Sequence, residues 1–412
     1  MADVRPFRAF RPNEEIVSKV AALPYDVYNR EEAAKVVSEN PDSFLSIDRA
    51  ETAFEPDHDM YADDVYQKAH DLLQDKISDG IFIQDDEPYY YIYEQNMKGR
   101  IQTGIVACCS IDDYQNGIIK KHENTLAAKE QDRIRHVDTC NAQTGPIFLC
   151  YRNKKTISDT IKKVKELSQP VYGFISVDKV CTQVWIVDQK EDIRAIQAAF
   201  GCMKNIYIAD GHHRCASAVK VGLKRRAEDP NPTGNKEYDY FLSVLFPDDQ
   251  LMIMDYNRVV KDLNGLSSSE FMMRLAEKYD FEMVEGQFKP ENKYEVGMYL
   301  DDCWYKLEAH DDIRSEDPVE GLDVAILQNE ILEPVLGISD PKNDKRIDFV
   351  GGIRGLDELE RRCHDDMKVA FAMHPTSIHE LFDVADAGKL MPPKSTWFEP
   401  KLLSGLFIHS LE

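Results

Sequence analysis

Ile206-Tyr207-Ile208-Ala209-Asp210-Gly211-His212-His213-Arg214 joins an apolar, β-branched run to a helical pattern that continues from Cys215 to Arg226. The single glycine between them allows a tight strand-to-helix turn that brings backbone close to a ligand. The N–H groups of the new helix and the positive end of its dipole then face any phosphate placed there. Gly211, His212, His213 and Arg214 line that rim, and Arg214 is the strongest anion donor among them because its fork fits phosphate oxygens two at a time. A plainer reading of the same residues is that Asp210 caps the helix by accepting an N–H of its first turn, with the histidines exposed.

Upstream of the turn, helix-like stretches run from Arg30 to Asn40, with Asn29 as cap, and from about His58 to Asp79. Tyr89–Gln95 and Ile101–Ile111 are aromatic and β-branched, and Asn96-Met97-Lys98-Gly99 between them reads as a hairpin turn. A charged helix is expected from about Leu126 to Cys140 and another around Asp159–Leu167, with strands at 146–151, 173–177 and 182–188. Past the turn, Arg226–Glu237 is a loop, and Tyr240–Phe246 and Gln250–Val260 are expected to pair across Pro247-Asp248-Asp249. Ser267–Ser269 open a helix, 294–307 form another β pair, and Leu322–Leu336 is strongly amphipathic. The expected fold class is α+β, in mixed α/β layers, with a core domain over 1–265 and a C-terminal α+β domain over 266–412.

At 412 residues two packed domains are the natural expectation. Acidic residues outnumber basic ones 74 to 50, for a net charge of -24, and no Lys/Arg block offsets this. Nucleic acid is therefore not an expected partner, since phosphate-backbone binding needs a basic surface. The acidity suits a solvated surface or a magnesium-using site. Nine cysteines are scattered with no C-x-x-C pair, which points to reduced thiols in a cytoplasmic protein. No leader-like or membrane-spanning run stands out, so no membrane partner is expected.

Two further segments carry chemistry. In Lys120-Lys121-His122-Glu123-Asn124-Thr125, Glu123 has the character of a general base, with His122 and the lysines as donors around an acidic ligand. The ordinary alternative is that Thr125 caps the next helix and Lys129 to Arg133 is a solvated pair. In Met391-Pro392-Pro393-Lys394-Ser395-Thr396-Trp397-Phe398-Glu399-Pro400-Lys401, two prolines fix an extended backbone beside a charge and two hydroxyls. That segment reads either as a lid over a site or as a rigid docked tail.

Taken together, Arg5-Pro6-Phe7-Arg8, Pro24-Tyr25-Asp26-Val27, Lys121 to Thr125, Asp210 to Arg214, and Met391 to Thr396 ending in Lys401 resemble the domain-of-unknown-function 1015 family over nearly the whole chain. The Asp-Gly-His-His-Arg turn is also similar to the nucleotide-phosphate signature of the ParB and sulfiredoxin superfamily, some members of which phosphorylate free serine with ATP or ADP. This resemblance implies a ParB/sulfiredoxin-like core and a kinase acting on the hydroxyl of free L-serine or a similar small hydroxy acid. It further implies Glu123, Asp210 and His122 as catalytic groups, and Gly211, His212, His213 and Arg214 around the phosphates. Asp210 would face Mg²⁺, and Lys394, Ser395, Thr396 and Lys401 would hold the acceptor. Its competitor is a nucleotide-sensing protein without chemistry. Two departures narrow the resemblance. No helix-turn-helix or basic surface follows Arg226, and His212 stands where sulfiredoxin carries its reactive cysteine.

Overall fold

Lys98 and Gly99 turn the chain with φ of 53° and 87°, the mirror-image turn that matches the twist of two antiparallel strands. Tyr90–Met97 and Arg100–Ser110 accordingly pair as the expected hairpin. The computed structural model describes residues 1–412. Its contacts divide the chain into one unit made of Met1–Leu251 and Pro400–Glu412, and a second made of Met252–Glu399.

In the first unit the hairpin is the middle of a nine-stranded mixed sheet. On one side, Arg100–Ser110 pairs antiparallel with Tyr240–Pro247, which lies parallel to Ile147–Tyr151. Next comes Ile206–Asp210, antiparallel to Ile147–Tyr151 and parallel to Ile119–Lys120 at the edge. On the other side, Tyr90–Met97 pairs with Cys181–Val187, and that strand with Tyr172–Ile175. The central strands are buried almost throughout, which explains their near-continuous apolar runs. The helix His212–Glu228 lays Cys215, Ala218 and Val219 on the core with Leu149, Ile208 and Phe241. Gly222 lets that helix come close, because a Cβ there would sit 2.3 Å from the Tyr238 carbonyl oxygen. A separate apolar cluster under Arg30–Glu39 and Asp63–Ser78 gathers Phe44, Leu45, Ile47, Leu73 and Phe82.

The second unit is built on a six-stranded sheet with every pairing antiparallel, from Tyr279–Val284 at one edge to Ile347–Gly351 at the other. Its core includes Val259, Tyr299, Trp304, Val350, Leu359 and Ala370. Ser267 caps Ser268–Leu275 with a full capping box, as its sequence suggests.

Three expectations change here. Tyr240–Phe246 and Gln250–Val260 do not form a hairpin: Tyr240–Pro247 is an interior strand of the first sheet, whereas Tyr256–Val260 pairs with Ile347–Gly351 and Val369–Met373. Asp248–Gln250 is a single 3₁₀ turn at which the chain leaves the first unit. Leu322–Leu336 is not one amphipathic helix but a short α segment, Asp323–Leu327, running into a π-helical turn over Gln328–Leu332. The α segment is buried on every side, so it has no polar stripe to present to water. Finally, residue 265 lies inside the second unit, and 400–412 belongs to the first, where His409–Ser410 pairs with Ala142–Gln143.

All nine cysteines are free thiols, and Cys108, Cys109, Cys140, Cys150 and Cys215 are buried. No helix is long and apolar enough to cross a membrane.

Candidate functional site

The strand Ile206–Asp210 delivers Asp210 to the rim of the first sheet, and the chain turns at Gly211 with φ 87° and ψ 32°. This left-handed geometry is what the glycine is for. Asp210 does not cap the helix. Its Oδ1 accepts the N–H of Gly211 at 2.8 Å, and its Oδ2 pairs with Lys401 Nζ at 3.0 Å. Burial alone would raise this carboxyl, but Lys401 and Arg214, with the Gly211 N–H, hold it well below the usual carboxylate range. No side chain caps the helix, so its first turn meets its surroundings with backbone N–H groups that have no intrahelical acceptor.

Arg214 folds back over the turn. A Cβ at Gly211 would lie 3.2 Å from its Nε, and its Nη1 donates to the Pro146 carbonyl at 2.7 Å. Arg214 thereby occupies the rim assigned to it, with one nitrogen anchored to backbone.

The segment Lys121–Thr125 lies beside this turn because Ile119–Lys120 runs parallel to Ile206–Tyr207. Two histidines tie them together. The Leu126 N–H donates to His213 Nε2 at 2.9 Å, and the His122 N–H donates to His212 Nε2 at 3.4 Å. Since Nε2 of His212 accepts, the neutral ring carries its hydrogen on Nδ1, which faces Glu123 Oε2 at 4.0 Å. Burial and the neighbouring His122 keep His212 well below its ordinary value. The two imidazoles meet edge to face at 4.5 Å, and burial brings His122 down to about 4. His122 is therefore a neutral wall of the site. Glu123, with its side chain 31% exposed, is the accessible carboxylate of this segment.

Thr125 does not cap the following helix either. Its hydroxyl donates to Glu130, which also pairs with Lys220, and the helix Ala127–Cys140 starts from Leu126 with no side-chain cap. Nor is Arg133 solvated. It is buried, donates to Asp132 Oδ2 through Nε and Nη2, and stacks over the Tyr25 ring at 4.0 Å. Lys394, Ser395 and Thr396 belong to the second unit. There Lys394 takes φ 60°, its carbonyl accepts from Arg258, and Ser395 Oγ donates to the Pro392 carbonyl at 2.7 Å. These bonds make the segment part of the second unit's framework.

Arg133 and Arg214 share a small cavity of about 30 Å³ that composition and motif reading did not reveal. Its other polar lining comes from Tyr25, Asp48, His136 and Thr144. Tyr25 belongs to the Pro24–Val27 motif, and Arg49 Nη1 fixes that motif by donating to the Tyr25 and Tyr28 carbonyls at 3.1 and 2.6 Å. Burial lifts the Tyr25 phenol to about 12, against the opposing pull of Arg133 and Arg214, so it stays protonated. Arg133 and His136, three apart on one helix, were the signal in the sequence that this face points inward.

A family model described as "Protein of unknown function (DUF1015)" matches residues 4–325. No curated protein matches the chain. Among solved structures, a free serine kinase mutant in complex with AMP aligns at 13% identity and a TM-score of 0.35, over 72% of this chain and 87% of its own. SbnI with a C-terminal truncation, from Staphylococcus aureus, aligns at 11% identity and 0.38, over 72% and 85%. A conserved hypothetical protein from Pyrococcus furiosus aligns at 13% identity and 0.34, over 73% and 94%.

Proposed function

The chain belongs to the DUF1015 family, and from that premise we propose that it is a small-molecule phosphotransferase with a ParB/sulfiredoxin-like core. It moves a phosphate from ATP or ADP to the hydroxyl of free L-serine or a similar small hydroxy acid. The observation that carries the reading is the turn itself: a left-handed Gly211 opening an uncapped helix, with Arg214 folded over it and Lys401 beside it.

Phosphoryl transfer asks mainly for positioning and charge neutralisation. In the proposal the first-turn N–H groups, Arg214 and His213 cradle the phosphates. The acceptor oxygen attacks the terminal phosphorus, the bond from phosphorus to the bridging oxygen breaks, and its electron pair leaves with the nucleotide. The hydroxyl proton passes to Glu123, which His212 Nδ1 faces at 4.0 Å. Asp210 is a poor base, being already held as a carboxylate by Lys401. It suits instead a magnesium ion carried on the phosphates, because Mg²⁺ commonly takes one protein carboxylate and completes its shell with phosphate oxygens and water. No group of three or more acidic, histidine or cysteine ligands forms a separate metal cage. Bound with the nucleotide, Mg²⁺ supplies charge neutralisation.

The test is incubation of purified protein with Mg²⁺, ATP or ADP, and a pool of amino acids and hydroxy acids, followed by mass spectrometry for a phosphorylated product. Nucleotide binding with no product from any member of the pool overturns the reading and favours a nucleotide sensor.

A further inference from the structure

We propose that the cleft lined by Tyr25, Asp48, Arg133 and His136 is the acceptor subsite, and that it takes a zwitterionic α-amino acid in preference to a hydroxy acid without an amino group. The inference takes its chemistry from the phosphotransferase reading but stands on a separate set of residues.

The cleft is walled by charges that are buried and only partly used. Asp48 is 5% exposed, receives the Thr144 hydroxyl on Oδ1 at 2.9 Å, and makes no ion pair. Arg133 is the cation nearby but makes no direct bond to it, and a buried carboxylate served only at a distance gains from a cation that a ligand brings into contact. An ammonium group is such a cation, with three donors to share. His136 adds a second acceptor. Burial, and after it the charge of Arg133, keeps this ring below its ordinary value, so it is neutral. Its Nε2 donates to the Ile47 carbonyl at 3.2 Å, which leaves Nδ1 as an acceptor. On the cationic side, Asp132 occupies Nε and Nη2 of Arg133, leaving Nη1 for a carboxylate. The Tyr25 phenol beside it is a further donor.

One wall therefore offers acceptors for an ammonium and the other offers donors for a carboxylate, and the cleft, of about 500 Å³ and reaching out to Tyr61 and Tyr66, has room for a molecule of amino-acid size. Arg214 connects the cleft to the phosphate turn: it lines the small cavity that Tyr25, Asp48, Arg133 and His136 also border, and it lies over the turn. A short hydroxyl-bearing side chain directed at Arg214 would meet the phosphates.

The experiment is calorimetric titration of the full chain, without nucleotide, using L-serine, L-alanine and D-glycerate. L-Serine and L-alanine are expected to bind, and glycerate at least tenfold more weakly, because it leaves Asp48 unpaired. Asp48→Asn is expected to weaken L-serine at least tenfold, with glycerate binding and nucleotide affinity unchanged. If that variant does not fold, the wild-type panel alone decides. Glycerate binding as tightly as L-serine, or an unchanged L-serine affinity in folded Asp48→Asn, overturns the proposal. Amino acids that bind but yield no product with any nucleotide support the subsite while sinking the phosphotransferase reading. Phosphorylated glycerate, with amino acids neither bound nor used, does the reverse.

Discussion

Gly211→Ala tests the turn with the smallest perturbation available. Two costs can be worked from the geometry. The backbone sits at φ 87°, where an L-residue with a Cβ loses roughly 1–2 kcal/mol relative to glycine. The added methyl group would also lie 3.2 Å from Arg214 Nε and 3.4 Å from its Cζ, so the guanidinium must shift by a few tenths of an ångström. That shift strains the 2.7 Å bond from Nη1 to the Pro146 carbonyl, a charged hydrogen bond of which about 1 kcal/mol is at risk. The expected loss is about 2–3 kcal/mol, read as a lower urea midpoint with an unchanged slope. Gly211→Asn should recover part of it, because asparagine tolerates the left-handed region, though its Cβ meets Arg214 in the same way. Nucleotide affinity, measured by calorimetry, should fall at least tenfold in both variants. In an Arg214→Ala background the same glycine change should weaken binding much less, since its target is gone. A Gly211→Ala protein as stable as the parent, with unchanged affinity, would refute the reasoning at its root.

Arg214→Ala alone should weaken nucleotide binding by about 1.5–3 kcal/mol, roughly 10- to 150-fold, in a protein that still folds; unchanged affinity by calorimetry counts against the cradle. Glu123→Gln should lower turnover about a hundredfold or more on the acceptor found by the screen, with nucleotide affinity little altered, and full activity would remove Glu123 from the role of base. Two sets of burial-shifted groups should tilt stability with pH in opposite directions, the histidines beside Gly211 and Asp323 in the second unit. His122, at about 4, and His212 lie below their ordinary 6.5, so the unfolded chain binds protons that the folded one refuses and the first unit weakens as pH falls below about 6.5. Burial raises Asp323 to about 7 from an ordinary 3.8, so the folded second unit holds the extra proton and weakens as pH rises between those values. Asp323→Asn, which keeps an acceptor for the Tyr294 N–H, should flatten the second slope in a pH series of urea melts and leave the first in place.

Local chemistry was readable in the sequence wherever it acts over a few residues. Asn29 and Ser267 cap the helices that follow them through full capping boxes, and the Lys98-Gly99 turn sets its hairpin. The strand–Gly–helix turn formed where the apolar run and the single glycine placed it. Contacts between distant residues were not readable. Thr144 reaches Asp48 across 96 positions and Lys401 reaches Asp210 across 191, and no periodicity encodes either. Arg133 read as solvated because charge usually faces water; its burial is enforced by its neighbour Asp132 together with the Tyr25 ring, which no window around it contains. The failed hairpin at 240–260 has the same origin. Two strands in succession suit a hairpin, and only their long-range partners show that they belong to different sheets.

The tail 400–412 completes a unit that the chain left at residue 251, so the second unit interrupts the first in sequence. On the ribosome this sets an order of events. Asp210 emerges long before its counter-ion: the 191 positions to Lys401 take about 10–40 s to synthesise at typical elongation rates. Within that interval all of the second unit, Met252–Glu399, is made, while the first still lacks Leu403, Leu406, Phe407 and Ile408 from its interior and a strand against Ala142–Gln143. The nascent chain thus carries an Asp210 with Arg214 as its neighbouring cation, which acquires its lysine only after the second unit has been made. Completion of the turn at Gly211 therefore waits on residues made after the whole of the second unit, and a chain cut after Glu399 keeps every residue of that unit while leaving Asp210 without Lys401.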